Sequence, residues 1–278
     1  MSNTKVFMGM LCALSLSLGS VACDSAGSSS STSDSGVDPS GGGTDDGGAT
    51  DDGATDEGAT DGADGSGDDG SGETGSGSDE IEIEPGNMID DLEDGDPLIL
   101  AANGRQGAWY TYNDESKGAE QLPPTPFEPT AGGPGNSLFQ AQTSGSGFAT
   151  WGAGVGVDLN NEGDPDGGDG IRMPYDASAY QGIVFHARGT VPIRVKLLVE
   201  GVVAVDAGGT CEDECDDAHG KIVPLSNEWA QYTVDFAEAF QEGWGLEAAF
   251  DPATLMSVQF QVGAGMDFDY AIDQVGFY

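Results

Sequence analysis

The chain predicts an all-β fold, a β-sandwich or jelly roll, standing behind a disordered acidic tether. Three observations lead there. Apolar runs beyond residue 85 are short and broken by Gly, Pro, Asn and Asp, which is the spacing of strands and turns. Helical periodicity is scarce over the same stretch. The segment before it offers almost no apolar surface to bury. Eight or nine strands with little helix pack best as two sheets.

The elements follow in chain order. Residues 1–22 have the layout of a secretory signal peptide: Lys5, an apolar run from Val6 to Leu18, then small residues. That run is shorter than the roughly 20 residues a membrane-spanning helix needs. The tail Ser20-Val21-Ala22-Cys23 resembles the lipobox of bacterial lipoproteins. The resemblance implies lipidation at Cys23 and a bacterial membrane lipoprotein of the cell envelope or cell surface. Two acyl chains anchor stably where one does not. The membrane is then a partner through the lipid anchor only.

Residues 23–84 read as the tether. From 24 to 84 there are 16 Gly, 18 Asp and Glu, and no Lys or Arg. A five-residue repeat (GATDD, GATDE, GATDG) begins at Gly48. Such a segment buries too little apolar surface to offset its ordering entropy, and like charges extend it. Glycine-rich calcium-binding repeats need regular apolar positions, which the segment lacks.

Residues 85–278 are long enough for one sizeable core. Strands are expected at 98–102, 108–113, 137–142, 147–159, 182–188, 193–199, 230–236, 256–262 and 268–277. A helical turn or two is expected at 237–241. Asp251-Pro252 reads as an N-cap followed by proline at the first helical position. Cys211 and Cys215 remain once Cys12 and Cys23 are set aside, and in an exported domain they are expected to form a disulfide. The competing reading is a zinc site built from Cys211, Cys215 and His219.

Charge excludes some partners. With 49 Asp and Glu against 8 Lys and Arg, the net charge is −41. Clustered cations for phosphate are missing, so nucleic acid is not expected.

Six segments, in order, resemble one family. They are 88–95 (MIDDLEDG), 104–110 (GRQGAWY), 147–152 (GFATWG), 180–189 (YQGIVFHARG), 229–236 (WAQYTVDF) and 268–277 (FDYAIDQVGF). Together they resemble the carbohydrate-binding modules of the galactose-binding-like jelly-roll superfamily, nearest the family-11 type attached to β-glucanases. They are also similar to modules of myxobacterial secreted lipoproteins. The resemblance implies a monomeric sandwich that binds polysaccharide, a neutral glycan such as β-glucan, on one concave face.

It also implies a structural calcium ion (Ca2+) between the first and last strands. The matching positions are Glu93 and Asp273, with Asp91 and Asn113 as additional candidate ligands. Calcium takes six to eight oxygens, so carboxylates distant in the chain could clamp the domain ends. Where the family often has two successive aspartates, this chain has Asp273 followed by Gln274.

Sugar rings present an apolar face to aromatic rings and hydroxyls to polar groups. Tyr112, Trp151 and Trp244 are the expected aromatic contacts, with Asp158, His186 and Arg188 as polar partners. Trp229 is expected in the core. Tyr110 is read as facing away from Trp109 and Tyr112 on their shared strand. No catalytic residues are expected, and the reading is of a non-catalytic protein. Acids are too abundant for any pair to be diagnostic of a glycosidase. The glycine run 152–156 precedes strand rather than helix and lacks a following Lys, so it is no phosphate loop. Two alternatives stand beside the leading reading: a structural or adhesion lipoprotein using the sandwich for protein contacts, and a polysaccharide hydrolase or lyase.

Overall fold

The structure is a computed structural model and describes residues 80–161, 163 and 170–278. The stretches expected to be a signal peptide, the lipid site Cys23 and the tether up to residue 79 lie outside the described residues. Among the described residues twelve strands follow one another. They are β1 (Met88–Asp90), β2 (Trp109–Asn113), β3 (Glu120–Leu122), β4 (Thr130–Ala131), β5 (Phe139–Ser146) and β6 (Ala153–Asp158). After them come β7 (Gly182–Gly189), β8 (Ile193–Val199), β9 (His219–Val223), β10 (Ala230–Asp235), β11 (Leu255–Val262) and β12 (Phe268–Phe277).

The strands make two antiparallel sheets. One runs β2-β6-β11-β8-β9. The other runs β10-β7-β12-β5-β3, with β4 on β5 and β1 beside the end of β12. One edge of β12 is thus shared: Phe268–Ile272 pair with β5, and Val275 and Gly276 pair with β1. The chain folds as the expected all-β jelly-roll sandwich.

Period-two alternation builds the core. Val155, Val157, Val195, Leu197, Val258 and Phe260 point inward from one sheet. Ile183, Phe185, Ala187, Tyr270 and Ile272 meet them from the other. Phe185 and Phe260 touch edge to face across the interface, with centroids 5.1 Å apart. Trp109 is buried, stacked between Phe127 and Phe260, and its indole Nε1 donates to Asp90 Oδ2 at 2.6 Å. Burial pushes the Asp90 carboxyl up to about 7 against the opposing pull of that hydrogen bond.

Several elements depart from expectation. The stretch 98–102 makes only a bridge from Leu98 to Ala108, and Asn103 then turns the chain with φ 53°. The strand expected at 147–159 begins at Ala153, because its first residues form a loop held from outside. The strand expected at 137–142 runs later, as β5. The short strands β1, β3, β4 and β9 carry too few residues to show a period. The turn at 237–241 reduces to a 3-10 turn at Phe236–Glu238. Asp251 does cap, but what it caps is one 3-10 turn, Pro252–Thr254, with its Oδ1 accepting from Ala253 N–H at 3.0 Å.

Cys211 and Cys215 form a disulfide. Both sulfurs are thereby used, which removes the zinc reading. His219 instead lies on β9 with its ring against Phe250.

Candidate functional site

The outer face of the five-stranded sheet carries polar and aromatic side chains in rows set by the strand register. One row reads Tyr112, Gly154, Gln261 and Arg194 across β2, β6, β11 and β8. The next reads Tyr110, Gly156, Gln259 and Lys196. Asp158 and Ser257 lie beyond. Tyr110 and Tyr112 therefore share this face and Trp109 takes the other. The expectation for Tyr110 is reversed, since residues two apart on a strand point the same way.

Glycines in β6 make room for the rings. A β-carbon at Gly156 would lie 2.5 Å from Tyr110 Cζ, and one at Gly154 would lie 3.0 Å from Tyr112 Oη. Both tyrosines can thus lie across the strand. Tyr110 Oη bonds Ser257 Oγ at 2.8 Å and accepts from Gln259 Nε2 at 2.9 Å. Burial pushes the Tyr110 hydroxyl up to about 12. Tyr112 stacks on Trp151 with centroids 5.8 Å apart and planes 22° from parallel. Its buried hydroxyl has no hydrogen-bond partner among the described residues. Arg172 sits over the Tyr110 ring at 5.3 Å and donates to Asp158 Oδ1 at 2.7 Å, while Asn161 donates to Asp158 Oδ2 at 2.9 Å.

These residues floor a cleft of about 1030 Å³. Trp151, 42% exposed, stands at one wall, and Trp244, 56% exposed, belongs to the same lining. Lys196, which donates to Gln261 Oε1 at 3.2 Å, lies on the floor; Asp216 and Glu242 complete the acidic rim. Burial holds the Lys196 ammonium below its usual value. The lining alternates aromatic rings with many hydrogen-bonding side chains, so it can offer both flat apolar faces and polar partners to a ligand.

Of the residues singled out for sugar contact, Tyr112, Trp151, Asp158 and Trp244 come together here. His186 and Arg188 do not. They lie on β7, in the opposite sheet, where His186 meets Glu80 and the Arg188 guanidinium covers Trp229 at 5.4 Å. Trp229 is consequently half-buried under Arg188, and the buried core tryptophan is Trp109. Tyr110, Arg172, Lys196, Gln259 and Gln261 were missed. The two glutamines are signalled by alternation in β11, but nothing in the sequence pairs Arg172 with Asp158.

The end residues of the seven-stranded sheet form a second cluster. Glu93 Oε1 accepts from Ser137 Oγ at 2.7 Å and Leu138 N–H at 2.8 Å, and Ser137 Oγ also lies 2.6 Å from Asp273 Oδ2. The Ser137 hydroxyl and the Leu138 N–H hold the Glu93 carboxyl low. Asp273 is fully buried, and burial followed by the charges of Glu93 and Asp91 pushes it up to about 7 against the Ser137 bond. A single hydroxyl proton cannot serve both carboxylates. Asn113 is remote from them: it lies on β2 in the other sheet and donates to Gln121. Among the described residues no three His, Cys, Asp or Glu side chains converge as a metal cage.

Two packed antiparallel sheets, with an aromatic-floored cleft across one of them, define the class as a jelly-roll sandwich. No protein-family model matches the chain. It is 28% identical over 182 residues to Endoglucanase 3 of Fibrobacter succinogenes, covering 63% of this chain and 24% of that protein's length. Among solved structures it is similar to the family 11 carbohydrate-binding module of the cellulase Lic26A-Cel5E of Clostridium thermocellum. That match has 13% identity and a TM-score of 0.43, and covers 71% of this chain and 95% of the module. A family 30 carbohydrate-binding module of the cellulase Cel9D-Cel44B from the same organism matches at 12% identity and a TM-score of 0.41, over 61% and 90% of the two chains.

Proposed function

We propose that the chain is a non-catalytic polysaccharide-binding module that takes a neutral glycan, β-glucan being the first candidate, in the cleft of the five-stranded sheet. The observation that carries this reading is the continuous aromatic row Tyr110, Tyr112 and Trp151, with Trp244 in the same cleft. Ring faces of this kind stack on the apolar faces of pyranose units. Gln259, Gln261 and Lys196 supply donors to hydroxyls from the sheet floor. The acidic rim of Asp216 and Glu242 disfavours anionic glycans such as pectin. Asp158 has both oxygens engaged by Arg172 and Asn161, which suits a positioning acid better than an acid–base catalyst.

Two further parts belong to the proposal. Cys23 is a lipid site, and the acidic stretch from it up to residue 79 holds the module away from a bacterial envelope membrane. Glu93 and Asp273 hold a structural calcium ion with Ser137 and backbone carbonyls. The two carboxylates sharing one hydroxyl, one of them fully buried, support that assignment. A divalent cation would offset the burial of Asp273 and tie β1 to the start of β5.

Affinity electrophoresis of the chain through gels carrying β-glucan, xylan, mannan or pectin tests the reading. Retardation by a neutral glucan is expected, weakened at least about ten-fold by Trp151→Ala or Trp244→Ala, a loss above the roughly 1 kcal/mol that only a minority of interface side chains reach. Calcium chelation is expected to lower the melting temperature. A folded chain retarded by none of the polymers contradicts the proposal.

A further inference from the structure

The two exposed tryptophans of the cleft sit on loops, yet each loop is held by one buried or half-buried carboxylate. Asp217 Oδ1 accepts from Glu242 N–H at 2.9 Å. Its Oδ2 accepts from Gly243 at 2.8 Å, Trp244 at 3.0 Å and Gly245 at 3.1 Å. Asp114 Oδ2 accepts from Thr150 at 2.8 Å, Trp151 at 3.0 Å and Gly152 at 3.0 Å. Successive N–H groups converge on one anion only where the backbone curls, and each loop has a positive-φ glycine for that, Gly243 at 86° and Gly152 at 104°.

Other contacts reinforce each grip. Gln261 Nε2 donates to Trp151 O at 2.8 Å. Gln241 Nε2 donates to both Asp217 O and Leu246 O, and Leu246 N–H donates to Glu214 O at 2.9 Å. Glu214 lies inside the Cys211–Cys215 loop, so the disulfide loop backs the Trp244 loop.

From this we infer that Asp114 and Asp217 are positioning residues that set Trp151 and Trp244 in their binding geometry before any ligand arrives. The inference rests on the sugar-binding reading of the cleft and deepens it. A preformed aromatic wall avoids the cost of ordering a loop on binding. Neither aspartate stacks on the ligand; each acts through one ring. Each effect should therefore be specific to its own loop.

The test compares the full chain with Asp114→Asn and Asp217→Asn by amide relaxation, by thermal unfolding and by titration with a β-1,3-1,4-mixed-linked tetrasaccharide. Each substitution keeps the side-chain volume and turns part of the anion into a donor facing N–H groups. D217N is expected to drop the order parameters at 242–245 from about 0.85 to below about 0.6 while leaving 149–152 rigid, and D114N the reverse. Each is expected to weaken tetrasaccharide binding at least about ten-fold. D217N added to W244A is expected to change affinity by less than about two-fold, because the ring it acts through is gone.

Three outcomes overturn the inference. They are rigid loops in both variants, loosening of both loops together with a large fall in melting temperature, and a further ten-fold loss when D217N is added to W244A. A wild-type chain that binds no tetrasaccharide overturns the sugar reading instead. The relaxation and unfolding measurements then decide the positioning role without a ligand.

Discussion

At Gly156 a β-carbon would fall within 2.9 Å of three Tyr110 ring and hydroxyl atoms, and the tyrosine has little room to retreat. Tyr110 Oη is tied to Ser257 and Gln259, and Arg172 covers the ring. Gly156→Ala should therefore destabilise the fold by roughly 1–3 kcal/mol, the usual cost of overpacking. It should also displace the platform, so that glucan affinity falls along with the midpoint of chemical denaturation. An unchanged midpoint would show that the ring moves freely. This role for the glycines was not legible in the sequence. The run 152–156 invited comparison with a phosphate loop, whereas its spacing serves two rings lying across a strand. Trp151 and Trp244 were legible as exposed rings because each stands beside glycine, and Tyr112 because it lies on a readable strand. His186 and Arg188 were misplaced because a β7 segment carries no sign of which sheet it joins.

At the scale of elements, the long strands were readable and the loops were not. β7, β8, β10, β11 and β12 show β-branched enrichment or alternation over six to ten residues. β3 and β4 are three and two residues long and owe their pairing to β5 rather than to their own pattern. The Asp217 and Asp114 grips join residues 25 to 28 and 36 to 38 positions apart, and no local motif marks them. They also fix a pH dependence. Burial works to raise both carboxyls, and the N–H donors outweigh it, so both lie below the ordinary 3.8. A depressed acid contributes stability that is complete above its unfolded value and lost as pH falls through the folded one. Acrylamide quenching of Trp151 and Trp244 should thus stay constant from pH 7 down to about 4.5 and rise only below about pH 4. Increased quenching already at pH 6 would point to a different titrating group.

For the whole molecule, the domain takes in more than the stretch 85–278 picked out from the sequence. Ile81 N–H donates to Gln231 Oε1 at 2.7 Å, and Gln231 Nε2 donates back to Ile81 O at 2.8 Å. Ile83 covers Gly276, and Glu80 pairs with His186. A chain beginning at residue 85 should be less stable than one beginning at 80 by roughly 1–3 kcal/mol, the sum of two hydrogen bonds and partial isoleucine burial. Equal urea midpoints would contradict that. Alternation of the apolar pair Ile81 and Ile83 with Glu80, Glu82 and Glu84 was a legible strand-like signal, masked by the acidic run before it. The account as a whole places one glycan site on one face of one sheet. Backbone and indole shift mapping of the chain titrated with the mixed-linked tetrasaccharide tests that placement most directly. Perturbations should gather at Tyr110, Tyr112, Trp151, Trp244, Gln259 and Gln261. Perturbations confined to β7, β10 and β12, or none at a concentration that saturates the aromatic row's expected affinity, would contradict it.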